Sequence, residues 1–181
     1  MKNKFTQNVL MWILLIVFVF LLLGLALGFL GYRVNLSHSY PIGIWKITSR
    51  FDPKTDKGKI VLICISNKEV SNMAQERGYI RAGVYGHKPQ PILKRVMGLS
   101  GDNITVSKEG VSINDFLIPN SKLLSIDSGG RNLERANSTM LEKGHVWVMS
   151  EYHPRSFDSR YFGPLLLADI SGVIDPVWVV K

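Results

Sequence analysis

A serine in Asn35-Leu36-Ser37-His38-Ser39-Tyr40-Pro41-Ile42-Gly43 and a lysine in Ile92-Leu93-Lys94-Arg95-Val96-Met97-Gly98 are the residues whose chemistry would depend most on being brought together. A serine hydroxyl is a weak nucleophile until a neighbouring base removes its proton. A lysine amine can be that base only where its surroundings keep it neutral near pH 7. Side chains alternate along an extended segment, so Ile92, Lys94 and Val96 share one face while Leu93, Arg95 and Met97 share the other. An amine among branched apolar neighbours loses hydration, which disfavours the ammonium form and lowers its pKa. The segment alone equally allows a lysine whose apolar stem reaches from a half-exposed strand to water. If Ser39 and Lys94 act as a pair, the folded chain should hold amine and hydroxyl about 3 Å apart.

A third run, Arg155-Ser156-Phe157-Asp158-Ser159-Arg160-Tyr161-Phe162-Gly163, offers supporting groups. Ser156 could bond the lysine amine and fix its direction, and Asp158 and Arg160 are spaced to form an ion pair bracing the site from behind. An exposed polar turn with a weak surface ion pair is the competing reading. Likewise, Ser-x-Pro-x-Gly by itself also describes a turn carrying solvated serines. The four histidines, His38, His87, His145 and His153, are spread out, and no two have the spacing of metal ligands. No metal and no cofactor are therefore expected. A Ser-His-Asp triad of Ser39, His153 and Asp158 stays open, because triads are defined by geometry and not by chain order.

The elements that must position these groups begin with Val9 to Leu30, an uncharged apolar stretch. At 1.5 Å per residue it is about 33 Å long, enough for a hydrocarbon core of about 30 Å. A cleaved signal peptide would normally have a shorter apolar region, so a retained anchor is expected. Lys2 and Lys4 precede it, which puts the N-terminal tail in the cytoplasm and the rest outside. The expected division is residues 1–8 as cytoplasmic tail, 9–30 as transmembrane helix and 31–181 as one extracytoplasmic β domain. About eight residues separate Leu30 from Ser39, so the serine lies within about 29 Å of the membrane surface even when the chain is extended.

Beyond the anchor, β-branched and apolar runs bounded by Gly, Pro, Asn and Asp predict strands. They cover residues 43–48, 59–65, 91–97, 103–107, 111–113, 145–150 and 173–179. Turns at Lys108-Glu109-Gly110 and Asn114-Asp115 predict a meander through Phe116-Leu117-Ile118. One short helix is expected over Lys68 to Arg77, capped by Asn67 and ended by Gly78. The polar stretch from Asp127 to Lys143 reads as a surface excursion. The fold class is thus mostly β, a single domain behind one transmembrane helix. The formal charge is +8, yet Lys and Arg are scattered singly, so no nucleic-acid partner is expected and attraction to a lipid surface fits better. Cys64, the single cysteine, is expected to pack as a small hydrophobe.

With these runs in view, the chain resembles the signal peptidase I superfamily of Ser/Lys membrane serine peptidases, and most closely its TraF-type conjugative-transfer branch. Ser37-His38-Ser39-Tyr40-Pro41-Ile42-Gly43-Ile44-Trp45 looks like the TraF-type nucleophile run, with Trp45 where Tyr is more usual. Lys94-Arg95-Val96-Met97-Gly98-Leu99-Ser100-Gly101-Asp102 is similar to the family's lysine block, with Ser100 replacing Pro. Ser156 to Gly163 resembles the third block, whereas Ser150-Glu151-Tyr152-His153 departs from the Gly-Asp-Asn-Arg of housekeeping enzymes.

The resemblance implies a signal-peptidase-like β domain with Ser39 as nucleophile and Lys94 as general base. It also implies oxyanion stabilisation by the Ser37 hydroxyl and the Ser39 backbone N–H, with support from Ser156, Asp158 and Arg160. The implied activity is maturation of an exported precursor, specifically a conjugative pilin subunit, by hydrolysis or by cyclisation. The implied location is a bacterial inner membrane with the catalytic domain on the periplasmic side, among other conjugative transfer components. Two other expectations are weighed beside it: a general signal peptidase acting on many preproteins, and a non-catalytic membrane-tethered scaffold of a transfer or secretion complex.

Overall fold

The computed structural model describes residues 2–83 and 89–180, with side chains from residue 6 onward; His87 lies outside these. By its internal contacts the chain divides into Met1–Arg33 and Val34–Lys181.

The first unit is built on α1 (Lys2–Phe29). Its Thr6–Phe29 stretch has a mean hydropathy of 3.1 and is long and apolar enough to cross a membrane. Its apolar side chains, from Val9 to Leu25, are exposed. In water such a surface would be costly, and a bilayer is the solvent that suits it. Gly31 ends the segment with φ +87°.

The second unit is mostly β. Its strands are β1 (Tyr32–Asn35, of which Val34 and Asn35 belong to this unit), β2 (Gly43–Ser49), β3 (Ile60–Ile63), β4 (Ile92–Leu99) and β5 (Asn103–Val106). They continue with β6 (Val111–Ile113), β7 (Phe116–Leu117), β8 (Thr139–Met140), β9 (His145–Met149), β10 (Leu165–Leu166) and β11 (Ile170–Val179). Two short helices, α2 (Lys68–Glu76) and α3 (Ser159–Phe162), interrupt them.

One sheet has the order β1-β2-β11-β3-β4-β9-β10 and the other β7-β6-β5-β8. The second contains the meander expected from the turn residues. Asn114 and Asp115 take φ +50° and +67°, the left-handed pair that joins β6 to β7. The first sheet is not sequential, because the last strand inserts between β2 and β3. The carboxamide oxygen of Asn67 accepts from the backbone N–H groups of Glu69 and Val70, capping α2 as its position suggests.

Alternation along the strands sorts the apolar residues into separate clusters. Val61, Ile63, Val96, Val146, Val148 and Val173 pack on one side of the larger sheet, with Ile92 against them. Tyr40, Trp45, Leu62, Leu93 and Ile174 form another cluster. Trp147 and Met149 of β9 join Ile104, Val111 and Ile113 of the smaller sheet. The centre of β4 is therefore buried on both faces, and Lys94 lies there, 2% exposed. Cys64 corrects an expectation: it is exposed just past β3, its sulfur 3.4 Å from the Ser171 hydroxyl. Strand β3 ends at Ile63, and the alternation that buries Ile63 and Ile65 turns Cys64 outward.

Candidate active site

Lys94 sits in the third position of β4, opposite Val61 of β3. Its strand neighbours Ile92 and Val96 belong to the apolar cluster on its face. The stem is thus walled in by branched side chains, and the snorkelling alternative does not apply. The Nζ lies 2.8 Å from Ser39 Oγ and 2.7 Å from Ser156 Oγ, and the two hydroxyls are 3.3 Å apart. Burial lowers the Lys94 pKa from 10.5 to about 8; the nearby Asp158 raises it and Arg160 lowers it, each by less than the burial does. About a tenth of the amines are then neutral at pH 7, far more than for a lysine in water.

Ser39 lies in the turn between β1 and β2, and the buried Asn35 builds that turn. Its Nδ2 donates to the carbonyls of Ser37, Tyr40 and Pro41 at 3.1, 3.0 and 3.0 Å. Its Oδ1 accepts from the Ser37 N–H at 3.1 Å and the Ser37 hydroxyl at 2.8 Å. Such local side-chain bonds hold a short loop that has no ladder to hold it. The Ser150 hydroxyl donates to the Ser39 carbonyl from the end of β9. Trp45 Nε1 donates to the Pro41 carbonyl at 3.1 Å, closing the loop from β2.

Tyr40 extends the bracing away from the pair. Its hydroxyl donates to Glu151 Oε2 at 3.1 Å, and Arg95 pairs with Glu151 Oε1 while also donating to the Gly58 carbonyl. Its ring stacks on Tyr152 and meets Trp45 edge-on. Burial, and then the Glu151 charge, push the Tyr40 pKa up, so its hydroxyl stays a donor.

Behind Ser156, Asp158 and Arg160 form a fully buried, two-bond pair, with Nε–Oδ1 at 2.8 Å and Nη2–Oδ2 at 2.9 Å. Arg160 also donates to the Ser156 carbonyl at 3.1 Å and to the carbonyls of Asn120, Lys122 and Pro154. Asp158 accepts from the Ser150 N–H at 3.1 Å. The pair thus ties the Ser156 loop to the end of β9. A buried pair is held this way only when its remaining donors and acceptors are satisfied. Asp158 is committed to Arg160, and His153 Nδ1 accepts from the Arg155 N–H at 3.2 Å. His153 makes no hydrogen bond with Ser39 or Asp158 among the described residues, so the Ser-His-Asp alternative is not assembled.

Of the residues singled out in the sequence, Ser39, Lys94 and Ser156 meet directly, with Asp158 and Arg160 one step removed. Ser37 is two residues from Ser39, its hydroxyl turned to Asn35. Sequence reasoning missed Asn35, Ser150 and the Tyr40–Glu151–Arg95 chain. An asparagine at a strand end before a polar turn was the available signal for Asn35. Nothing local marked the other contacts, which join residues more than fifty positions apart.

The sequence pattern of the family described as "Signal peptidase, peptidase S26" matches residues 6–179. A plasmid transfer protein TraF of Escherichia coli is 37% identical over 164 residues, covering 87% of this chain and 88% of that protein. A second Escherichia coli plasmid transfer protein TraF is 39% identical over 153 residues, covering 81% and 82%. Among solved structures, a signal peptidase I from Enterococcus faecalis is similar with a TM-score of 0.38 and 22% identity, over 69% of this chain and 98% of that one.

Proposed function

Because this chain belongs to the signal peptidase family, peptidase S26, we propose that it is a membrane-anchored serine endopeptidase in which Ser39 is the nucleophile and Lys94 the general base. The observation that carries this reading is the 2.8 Å contact between a buried amine and the Ser39 hydroxyl, with the Lys94 pKa lowered to about 8. A structural lysine has no need of such a place, because desolvating an ammonium costs stability.

In the proposed reaction, Ser39 Oγ attacks a peptide carbonyl carbon while neutral Lys94 takes the hydroxyl proton. The oxygen of the tetrahedral intermediate carries the negative charge and accepts from the Ser39 N–H. It also accepts from the Ser37 hydroxyl, which must turn from Asn35 to reach it. Collapse breaks the C–N bond, and Lys94 returns its proton to the departing nitrogen. An ester on Ser39 remains. Lys94, neutral again, activates the group that resolves it: water in hydrolysis, or the substrate's own N-terminal amine in cyclisation. Ser156 keeps the amine aimed, and the Asp158–Arg160 pair keeps Ser156 in place.

The substrate we infer is a pilin precursor of a conjugative transfer system. Support comes from relatives of similar length that are named plasmid transfer proteins and from the Ser150-Glu151-Tyr152-His153 run, which departs from that of housekeeping signal peptidases. The inferred location is a bacterial inner membrane, with α1 as anchor and the β domain outside, since Lys2 and Lys4 precede the apolar span.

Processing assays in cells carrying the transfer system test this reading. Ser39→Ala and Lys94→Ala should each leave the pilin precursor uncleaved while the protein still accumulates in the membrane. Normal processing by both variants would leave the scaffold reading in its place. Cleavage of generic preproteins but not of the pilin precursor would make the chain a general signal peptidase.

A further inference from the structure

The β domain has a cavity of about 210 Å³, lined among others by His38, Tyr79, Leu133, Arg155, Phe157 and Tyr161. None of these residues has a part in the proposed chemistry, yet three adjoin it in sequence. His38 precedes Ser39, Arg155 and Phe157 flank Ser156, and consecutive Cα atoms are about 3.8 Å apart. The cavity lining therefore comes within one residue of both Ser39 and Ser156 along the chain.

Its lining is largely aromatic and aliphatic, with two histidines and an arginine among it. The Tyr79 and Phe157 ring centroids are 4.7 Å apart, and Phe157 stacks on Tyr161 at 6.1 Å. Leu124 and Leu133 add aliphatic surface, and these lining rings and leucines are only half-buried. The single acidic residue of the lining, Asp127, has no oxygen to spare. Its Oδ1 accepts from the N–H groups of Gly129 and Arg131, and its Oδ2 accepts from the Tyr79 hydroxyl and Arg131 Nε. Asp127 therefore fixes the wall and does not recruit a cation. His38, His153 and Arg155 also line it, and the Arg155 side chain has no ion pair among the described residues. Pockets for free ligands usually measure about 300–1,000 Å³, so this one suits a single side chain of a larger substrate.

Resting on the peptidase reading above, we propose that this cavity is a specificity pocket for one aromatic or large aliphatic side chain of the substrate, located on the departing side of the scissile bond. The side follows from the proton's path. Lys94 must return its proton to the departing nitrogen, so that nitrogen lies toward Lys94 Nζ and Ser156 Oγ, which are 2.7 Å apart. His153, Arg155, Phe157 and Tyr161, from the segment around Ser156, wall the cavity on that flank. The Arg155 guanidinium of the lining further favours an acidic residue next to the inserted side chain.

The test uses the full-length protein in detergent micelles and fluorogenic peptides spanning the site at which it cleaves a pilin precursor. Each of the first four positions after the scissile bond is varied in turn. At one of them Phe, Tyr or Leu should exceed Ala by roughly 10- to 100-fold in kcat/KM, the range that filling an apolar pocket gives. Ser128→Trp, at an exposed position of the lining, and Leu133→Trp should erase that preference while leaving cleavage of the Ala peptides within about twofold, as filling a preformed apolar pocket removes only what the side chain gained there. Should Leu133→Trp fail to fold, Ser128→Trp carries the test. Equal rates at all four positions, or a preference that Ser128→Trp leaves intact, would overturn the pocket but not the peptidase reading. Failure of the wild-type protein to cleave the precursor at all would overturn both.

Discussion

Lys94 is the residue on which chemistry and stability pull in opposite directions. Burial places its pKa about 2.5 below that of a lysine in water, a difference worth about 3 kcal/mol. The folded pKa lies below the unfolded one, so between them the unfolded chain binds more protons. Stability therefore climbs with pH from about 8 to 10.5, and the full penalty is present below about 8. Lys94→Met keeps the shape and removes the charge, and Ser39 and Ser156 are close enough to bond each other. This variant should be inactive yet about 1–3 kcal/mol more stable than wild type at pH 7, with the gap narrowing toward pH 10.5 in denaturant titrations. A gap that stayed constant with pH would mean that burial does not lower the Lys94 pKa. At this scale the sequence was most legible: alternation around Lys94 located its apolar face, and residue types marked Ser39, Ser156, Asp158 and Arg160. Ser150 was opaque because its partner, the Ser39 carbonyl, lies across the fold and leaves no trace in its own neighbourhood.

At the scale of elements, the turn carrying Ser39 depends on the approach of β11 to β2. Gly43 opens β2 at φ +154°, and a Cβ there would lie 2.1 Å from the Trp178 carbonyl oxygen and 2.7 Å from Val179 Cα. Both are backbone atoms paired with the strand start, so neither can move aside cheaply. Gly43→Ala should cost about 1–3 kcal/mol and, by shifting the turn four residues after Ser39, reduce precursor processing more than the stability loss explains. Thermal unfolding and processing measured on the same preparation check this. Wild-type activity in a destabilised Gly43→Ala protein would show that the hydrogen bonds from Asn35, Ser150 and Trp45 hold the turn without the close approach of β11. Most strand positions, the α2 cap and the Asn114-Asp115 turn were readable because each is written in a few adjacent residues, whereas β1, β8 and β10 were not expected, and β8 lies in the stretch read as a surface excursion. The insertion of β11 between β2 and β3 was not, since strand order is set by long-range packing and local pattern only says that a strand exists.

Over the whole molecule, one apolar helix is suited to a bilayer and one β unit holds a serine, a lysine and a second serine in contact, the two parts that the proposed peptidase requires. Family membership covers nearly the full length. The central claim is that the buried Lys94 amine, neutral in a minority of molecules at pH 7, takes the Ser39 proton. The pH dependence of kcat/KM for precursor cleavage by the full-length protein tests it most directly, because that profile reports the free enzyme's essential base. The account predicts activity rising with pH along a single limb whose midpoint lies at about 8. A limb centred near about 6.5, the range of an ordinary histidine, would contradict it.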